Sequence, residues 1–230
     1  MEMKIEQLMS GAKKAKGLIV IIDVFRAFSL ECYAYASGAK EVYPVGSLEE
    51  AFLLKKQDPT YLLVGERDGI KVEGFDYGNS PSSLITADLK DRSIIHSTSS
   101  GVQGILAATS ADEIITGALV NAKAIARYIQ WKKPKIVTLV AMGWKGEYET
   151  PEDTLCAEYI ASLVKGEEMV DLKEKIEALK ESEGKKFFDP KLQHIFPEKD
   201  FYLCTECNCF DFVLSIQKKN DQFYSKRIDI

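Results

Sequence analysis

The sequence predicts a three-layer α/β/α fold built on a mainly parallel sheet, with a mixed strand order left open. Three observations carry that prediction. Leu18-Ile19-Val20-Ile21-Ile22 is a run of five branched apolar residues without polar alternation, the pattern of a strand buried on both faces. Ile136-Val137-Thr138-Leu139-Val140-Ala141-Met142 repeats that character late in the chain. Between them, short apolar runs alternate with stretches of helical spacing, which is the rhythm of βαβ crossovers. At 230 residues the chain can bury a full core, and no internal repeat or boundary divides it. It is read as one domain over 1–230, with a weak pattern after Gly184.

The elements follow in order. After the first strand, Phe28, Cys32 and Tyr35 have helical spacing, and Gly38 stops that helix. Glu41 to Val45 reads as a strand, and Ser47 caps a helix whose first turn carries Glu49 and Glu50. Tyr61 to Val64 is a third strand. From Gly65 to Pro81 the rhythm stops, and four glycines among charged residues predict a long functional loop. Ser93 to His96 is a strand, Ser97 to Gly101 a hydroxyl-rich turn, and Val102 to Ala108 a helix. Ile114-Ile115 makes a short strand, and Asn121 caps a helix ending near Trp131. Beyond the late strand, Thr150 suits an N-cap with Pro151 at the first helical position. Met169 to Lys180 predicts an exposed amphipathic helix, and Phe187-Phe188, Phe201-Tyr202 and Phe210 to Leu214 serve as packing anchors.

Composition narrows the function. A net charge of −5 speaks against a nucleic-acid surface, and no apolar run approaches a membrane span. The N-terminus, Met1-Glu2-Met3-Lys4, lacks a secretory h-region, so a cytoplasmic protein is expected. Five cysteines, three of them at Cys204, Cys207 and Cys209, argue for a reducing compartment and a structural role rather than a zinc site. The expected partner is a small anionic substrate, with neither nucleic acid nor membrane involved; a homo-oligomer is compatible with all of this.

Chemistry-bearing residues gather at predicted strand ends, where open α/β sheets bind ligands. Asp23 and Arg26 follow the first strand, Glu66 and Arg67 the third, Ser97-Thr98-Ser99-Ser100 the fourth, and Glu152-Asp153 open the helix after the late strand. Carboxylates there suit Mg²⁺, arginines grip phosphate in bidentate fashion, and hydroxyls at a helix start suit an anion. Each has a purely structural alternative. Asp23 is equally explained as a helix cap, Arg26 as its i+3 salt-bridge partner, and Glu66-Arg67 as a solvated turn. Asn79 and Ser80 read singly as a helix start, and His96 as a satisfied core histidine. Only the coincidence of several clusters on one sheet edge favours a site.

The stretch Gly65-Glu66-Arg67-Asp68-Gly69-Ile70-Lys71-Val72-Glu73-Gly74-Phe75-Asp76-Tyr77-Gly78-Asn79-Ser80-Pro81 resembles the Mg²⁺-dependent 2-phosphosulfolactate phosphatases of coenzyme M biosynthesis. Ile22 to Ala27, Gly117 to Ala122 and Glu152-Asp153 are similar to further segments of that family. The resemblance implies its three-layer fold, Mg²⁺, and hydrolysis of 2-phosphosulfolactate to sulfolactate and phosphate. It implies metal or catalytic roles for Asp23, Glu66 and Asp153, phosphate clamping by Arg26 and Arg67, and substrate binding by Asn79, Ser80, Thr98, Ser99, Ser100, Gly101 and Gln103. Three departures from the family pattern stand out: Phe28 and Ser29 replace two threonines, Thr98-Ser99-Ser100-Gly101-Val102-Gln103 replaces Thr-Thr-Asn-Gly-Thr-Arg, and Ala141-Met142 replaces small residues before the glycine after the late strand. Losing a guanidinium at Gln103 opens a second expectation, a catalytically silent relative that binds an anionic metabolite or a partner protein.

Overall fold

A computed structural model describes the chain from Met1 to Ile230. Its first half runs β1 (Glu2–Gln7), α1 (Leu8–Lys14), β2 (Gly17–Ile22), α2 (Ala27–Ala36), β3 (Glu41–Pro44), α3 (Leu48–Gln57), β4 (Leu62–Arg67), β5 (Ile70–Lys71), α4 (Pro81–Leu84) and β6 (Ser93–Ser97). The second half runs α5 (Gly101–Ala107), β7 (Ala111–Gly117), α6 (Ala122–Lys132), β8 (Ile136–Ala141), α7 (Pro151–Lys165), α8 (Leu172–Ala178), α9 (Glu198–Thr205), β9 (Phe212–Lys219) and β10 (Gln222–Asp229).

The strands form one sheet in the order β1-β8-β2-β7-β9-β10-β3-β6-β4-β5. β1, β8, β2 and β7 are mutually parallel, as are β3, β6 and β4. Between these blocks lies the antiparallel hairpin β9–β10, paired to β7 on one side and to β3 on the other. The expected α/β fold is present, and its sheet is mixed. β2 has every residue buried, and its side chains divide by strand period: Ile19 and Ile21 enter one core, Leu18, Val20 and Ile22 the other. Burying each of these large apolar side chains contributes roughly 1.5–3 kcal/mol, so a one-residue slip is strongly disfavoured. Val42 of β3, Val64 of β4 and Ile94 of β6 share the first core with Ile19, Ile21 and α2, so the sheet curls around that helix. α6 and α7 cover the opposite face of β2 and β8. A small cluster of Leu155, Leu179, Phe187 and Phe201 closes the end beside Phe25 and Phe196.

Several expectations are corrected. β1 escapes a periodicity search because it is an edge strand paired only to β8, and Glu2, Lys4 and Glu6 interrupt its apolar residues. The segment after Gly184 holds α9 and the hairpin, which turns on Asn220-Asp221, both at positive φ as a type I′ turn requires. Glu66 and Arg67 belong to β4 and pair with β5, so the loop predicted from Gly65 begins later. The helix predicted over Met169 to Lys180 is confined to α8, followed by 3₁₀ turns at Leu179–Glu181 and Glu183–Phe188. Ser47 caps α3, accepting from the Glu50 N–H at 3.1 Å. Asn121 and Thr150 stand at helix starts without capping: Asn121 accepts from the Ala118 N–H, and the Thr150 hydroxyl has no partner. No helix is long and apolar enough to cross a membrane.

Candidate active site

The site is built from strand ends. Asp23, just past β2, accepts the Ala27 N–H at 3.0 Å and the Gly101 N–H at 3.0 Å. The first bond is the local capping contact that the sequence allows; the second ties the start of α5 to the end of β2. A Cβ on Gly101 would lie 3.0 Å from the Asp23 carboxylate and 2.9 Å from Phe28, so glycine permits this close approach. Glu66, near the end of β4, accepts the Gly69 N–H at 2.7 Å and the Ser99 N–H at 2.7 Å. Asp153, in the first turn of α7, accepts the Val24 N–H at 2.7 Å and the Gly143 N–H at 2.9 Å. Gly143 follows β8 at φ 62°, where a Cβ would fall 2.1 Å from the Tyr148 carbonyl oxygen. Each carboxylate thus joins two or more loops at the sheet edge, and each keeps lone pairs to spare.

These three acids share one cavity with Glu152 and Glu183; the cations on its wall are Arg26, Lys145 and Lys186. Phe25, Trp144 and Phe196 supply its apolar side, while Asn79, Ser99, Ser100 and Thr150 supply neutral polar groups. Five carboxylates against three cations make the cavity acidic. Burial, followed by the nearby Glu66 charge among other influences, raises Asp23 to about 6. Burial likewise lifts Glu152 to about 7, and burial reinforced by the charges of Glu152 and Asp23 drives Asp153 well above the usual carboxylate range. Glu152 Oε2 and Thr150 Oγ1 are buried on this wall without a hydrogen-bond partner.

Of the residues named from sequence, Asp23, Arg26, Glu66, Asn79, Ser99, Ser100 and Asp153 reach the cavity. Arg67, Ser80, Thr98, Gly101 and Gln103 do not line it. The Arg67 guanidinium turns back onto the Ser97 carbonyl and hydroxyl, and Gln103 donates to the Gly46 carbonyl at 2.9 Å. Thr98 accepts the Val102 N–H, and Ser80 donates to Asp200. Arg26 does not pair with Asp23: its guanidinium donates to Asp200 at 2.8 Å, the Ile195 carbonyl at 2.8 Å and the Gly69 carbonyl at 3.2 Å, over the Phe196 ring. Phe28 and Val102 are core residues, so they and Gln103 lie outside the cavity lining, while Ser99 and Ser100, in the turn that departs from the family's Thr-Asn, are part of it. His96 is the buried histidine expected, and Cys204 packs in the core with Cys207 and Cys209 at increasing exposure.

Sequence reasoning missed Lys145, Trp144, Lys186, Phe196 and Asp200. Lys145 and Trp144 had a usable signal, since they follow β8 at its carboxyl end. Lys186, Phe196 and Asp200 had none, because they come from turns and a short helix far along the chain.

No three acidic, histidine or cysteine side chains converge closely enough to hold an ion unaided. Mg²⁺ does not require that, since it commonly takes one or two carboxylates and completes its shell with waters and substrate oxygens. The all-oxygen donor set and the unpartnered Glu152 and Thr150 oxygens fit such an ion.

The fold and cavity together define an α/β protein of the enzyme class, with acidic groups gathered at its strand ends. The 2-phosphosulpholactate phosphatase family profile matches residues 3–219. A Bacillus subtilis protein named probable 2-phosphosulfolactate phosphatase is 35% identical over 205 residues, which is 88% of each chain. A Clostridium perfringens protein of the same name is 34% identical over 234 residues and 94% of each chain, and one from Carboxydothermus hydrogenoformans is 42% identical over 167 residues, 73% of this chain and 67% of its own. The chain belongs to the 2-phosphosulfolactate phosphatase family, and so to the phosphatases.

Proposed function

We propose that the protein is a Mg²⁺-dependent phosphatase that hydrolyses 2-phosphosulfolactate to sulfolactate and phosphate. The observation that carries this reading is the acidic excess of a cavity in a phosphatase-family chain. A phosphorylated, sulfonated acid brings several negative charges to a wall lined by five carboxyl groups, and a divalent cation would balance them. Asp23, Glu66 and Asp153 border the place of the Mg²⁺; one or two of them would ligate it, with waters and substrate oxygens completing its shell, and the ion would neutralise phosphoryl charge and favour deprotonation of water. Lys145, paired with Asp68, and Lys186, paired with Glu183 in a 3₁₀ turn, border the cavity and would turn from those partners to the anionic groups. Glu152 is assigned the proton transfer. Its Oε2 is unpartnered, and a carboxyl titrating near 7 is half-protonated at neutral pH. The oxygen of water bonds to phosphorus and the P–O ester bond breaks. Glu152 gives its proton to the departing sulfolactate oxygen and is reprotonated from solvent, while the protons of the attacking water leave with the phosphate. Val102 and Gln103, the positions that motivated a silent relative, do not line the cavity, which favours the enzyme.

Purified protein with Mg²⁺ and 2-phosphosulfolactate should release phosphate, and a chelator should stop the release. A silent protein, assayed beside an active family member, would sink the assignment.

The same acids predict an unusual stability profile. Asp23, Glu152 and Asp153 all titrate above their unfolded values, so between about pH 4 and 7 the folded state binds more protons than the unfolded state. Stability of the metal-free protein therefore falls as pH rises through that window, and Mg²⁺ offsets the loss only once the acids ionise. At about pH 8 and Mg²⁺ near a hundred times its Kd, the melting temperature should rise by about 5–10 °C; at about pH 4.5 it should not move. Equal shifts at both pH values would contradict this assignment of the acids.

A further inference from the structure

Behind the cavity wall lies a buried pair that the chemistry above does not use. His96 on β6 and Glu31 on α2 are fully buried, with His96 Nδ1 2.8 Å from Glu31 Oε1. The other Glu31 oxygen has no partner, so His96 is the sole compensation for this carboxylate. On the far side of the ring, His96 Nε2 stands 3.2 Å from Asn79 Oδ1. Both ring nitrogens therefore face oxygens: the Nε2–H donates to the Asn79 carbonyl, and Nδ1 shares a proton with the Glu31 carboxyl. Asn79 is the one member of the trio that lines the cavity. With its carbonyl occupied by His96, the side chain has only its NH₂ group left to offer.

We propose that His96 is a positioning residue: paired with Glu31, it donates to the Asn79 carbonyl and so turns the Asn79 amide N–H groups into the cavity, where they donate to an anionic oxygen of the substrate. This rests on the phosphatase reading, because it takes that site's ligand to be an anion. Loss of the positioned donor removes an interaction made equally in ground and transition states, so it raises KM and leaves kcat.

Two measurements test it. The chain has two histidines, so His194→Gln leaves a single imidazole for ¹⁵N NMR. A protonated Nε2 at about pH 7 supports the inference. A bare Nε2 overturns it, because that nitrogen would accept from Asn79 and turn its carbonyl to the cavity. The second measurement is affinity for inorganic phosphate by titration calorimetry with Mg²⁺, beside KM and kcat on 2-phosphosulfolactate. The paired variant Glu31→Gln/His96→Gln keeps a neutral hydrogen-bonding pair of similar size, and Asn79→Ala removes the donor. Each should weaken phosphate binding and raise KM by about ten- to a hundredfold, with kcat within about threefold of wild type. The triple variant should be no worse than Asn79→Ala alone, since the pair acts through that amide. Losses that multiply, or a paired variant that is merely less stable with wild-type phosphate affinity, overturn the inference. A wild-type protein that releases no phosphate defeats the phosphatase reading instead; the NMR signature and the calorimetric comparison still decide the role of His96.

Discussion

Asp23→Asn is expected to release phosphate on the order of a thousandfold more slowly than wild type, while melting within a few degrees of it. The amide matches the carboxylate in size, but its NH₂ group would face one of the two N–H donors, from Ala27 or Gly101, that the carboxylate now accepts. That lost hydrogen bond is offset by removing a buried charge from beside Glu66 and Asp153. The chemical loss has no such offset, because the proposed metal site loses a charged group. Phosphate assays at saturating Mg²⁺ and a thermal melt check both halves. A folded variant with near-normal phosphate release removes Asp23 from the chemistry.

Asp200→Ala is expected to have the largest effect on stability, about 3–5 kcal/mol, lowering the melting temperature by about 6–20 °C. Arg26 and Asp200 are 3% and 0% exposed and meet at 2.8 Å, so removing one leaves an unpaired buried charge. Asp200 also accepts the Ser80 hydroxyl at 3.0 Å and the Ser82 N–H at 2.9 Å, tying α9 to α4. Replacing both partners at once, Arg26→Met with Asp200→Leu, should recover much of the stability but not the activity, because Arg26 reaches the cavity. A melting temperature for Asp200→Ala equal to wild type would show that the pair contributes nothing.

The fold was legible wherever burial on two faces writes itself as an unbroken apolar run, as in β2 and β8. It was illegible where pairing is one-sided or long-range. β1 has charged residues on an open edge, and β9–β10 follows a segment of weak pattern. The acids of the site were readable because strand ends are where ligands bind, and Asp23, Glu66 and Asp153 do meet there. The partners of the arginines were not legible, because charge alone does not reveal a partner. Asp200 lies 174 residues from Arg26, and Arg67 spends its donors on Ser97. Short motifs therefore located the cavity, while the partners of two of its cations, Asp200 for Arg26 and Asp68 for Lys145, come from elsewhere in the chain.

The central position of β9–β10 has a consequence for biosynthesis. Residues 212–229 emerge from the ribosome after both parallel blocks, yet they fill the gap between them. Until then β7 and β3 have open hydrogen-bonding edges toward each other, and Leu214 and Ile216 are missing from the core around α2. Such edges invite pairing with other chains, and closing contacts over so long a separation is slow. A nascent chain stopped before Phe212 would thus be two unsealed half-sheets exposed to aggregation, and the sheet is sealed only when the hairpin arrives.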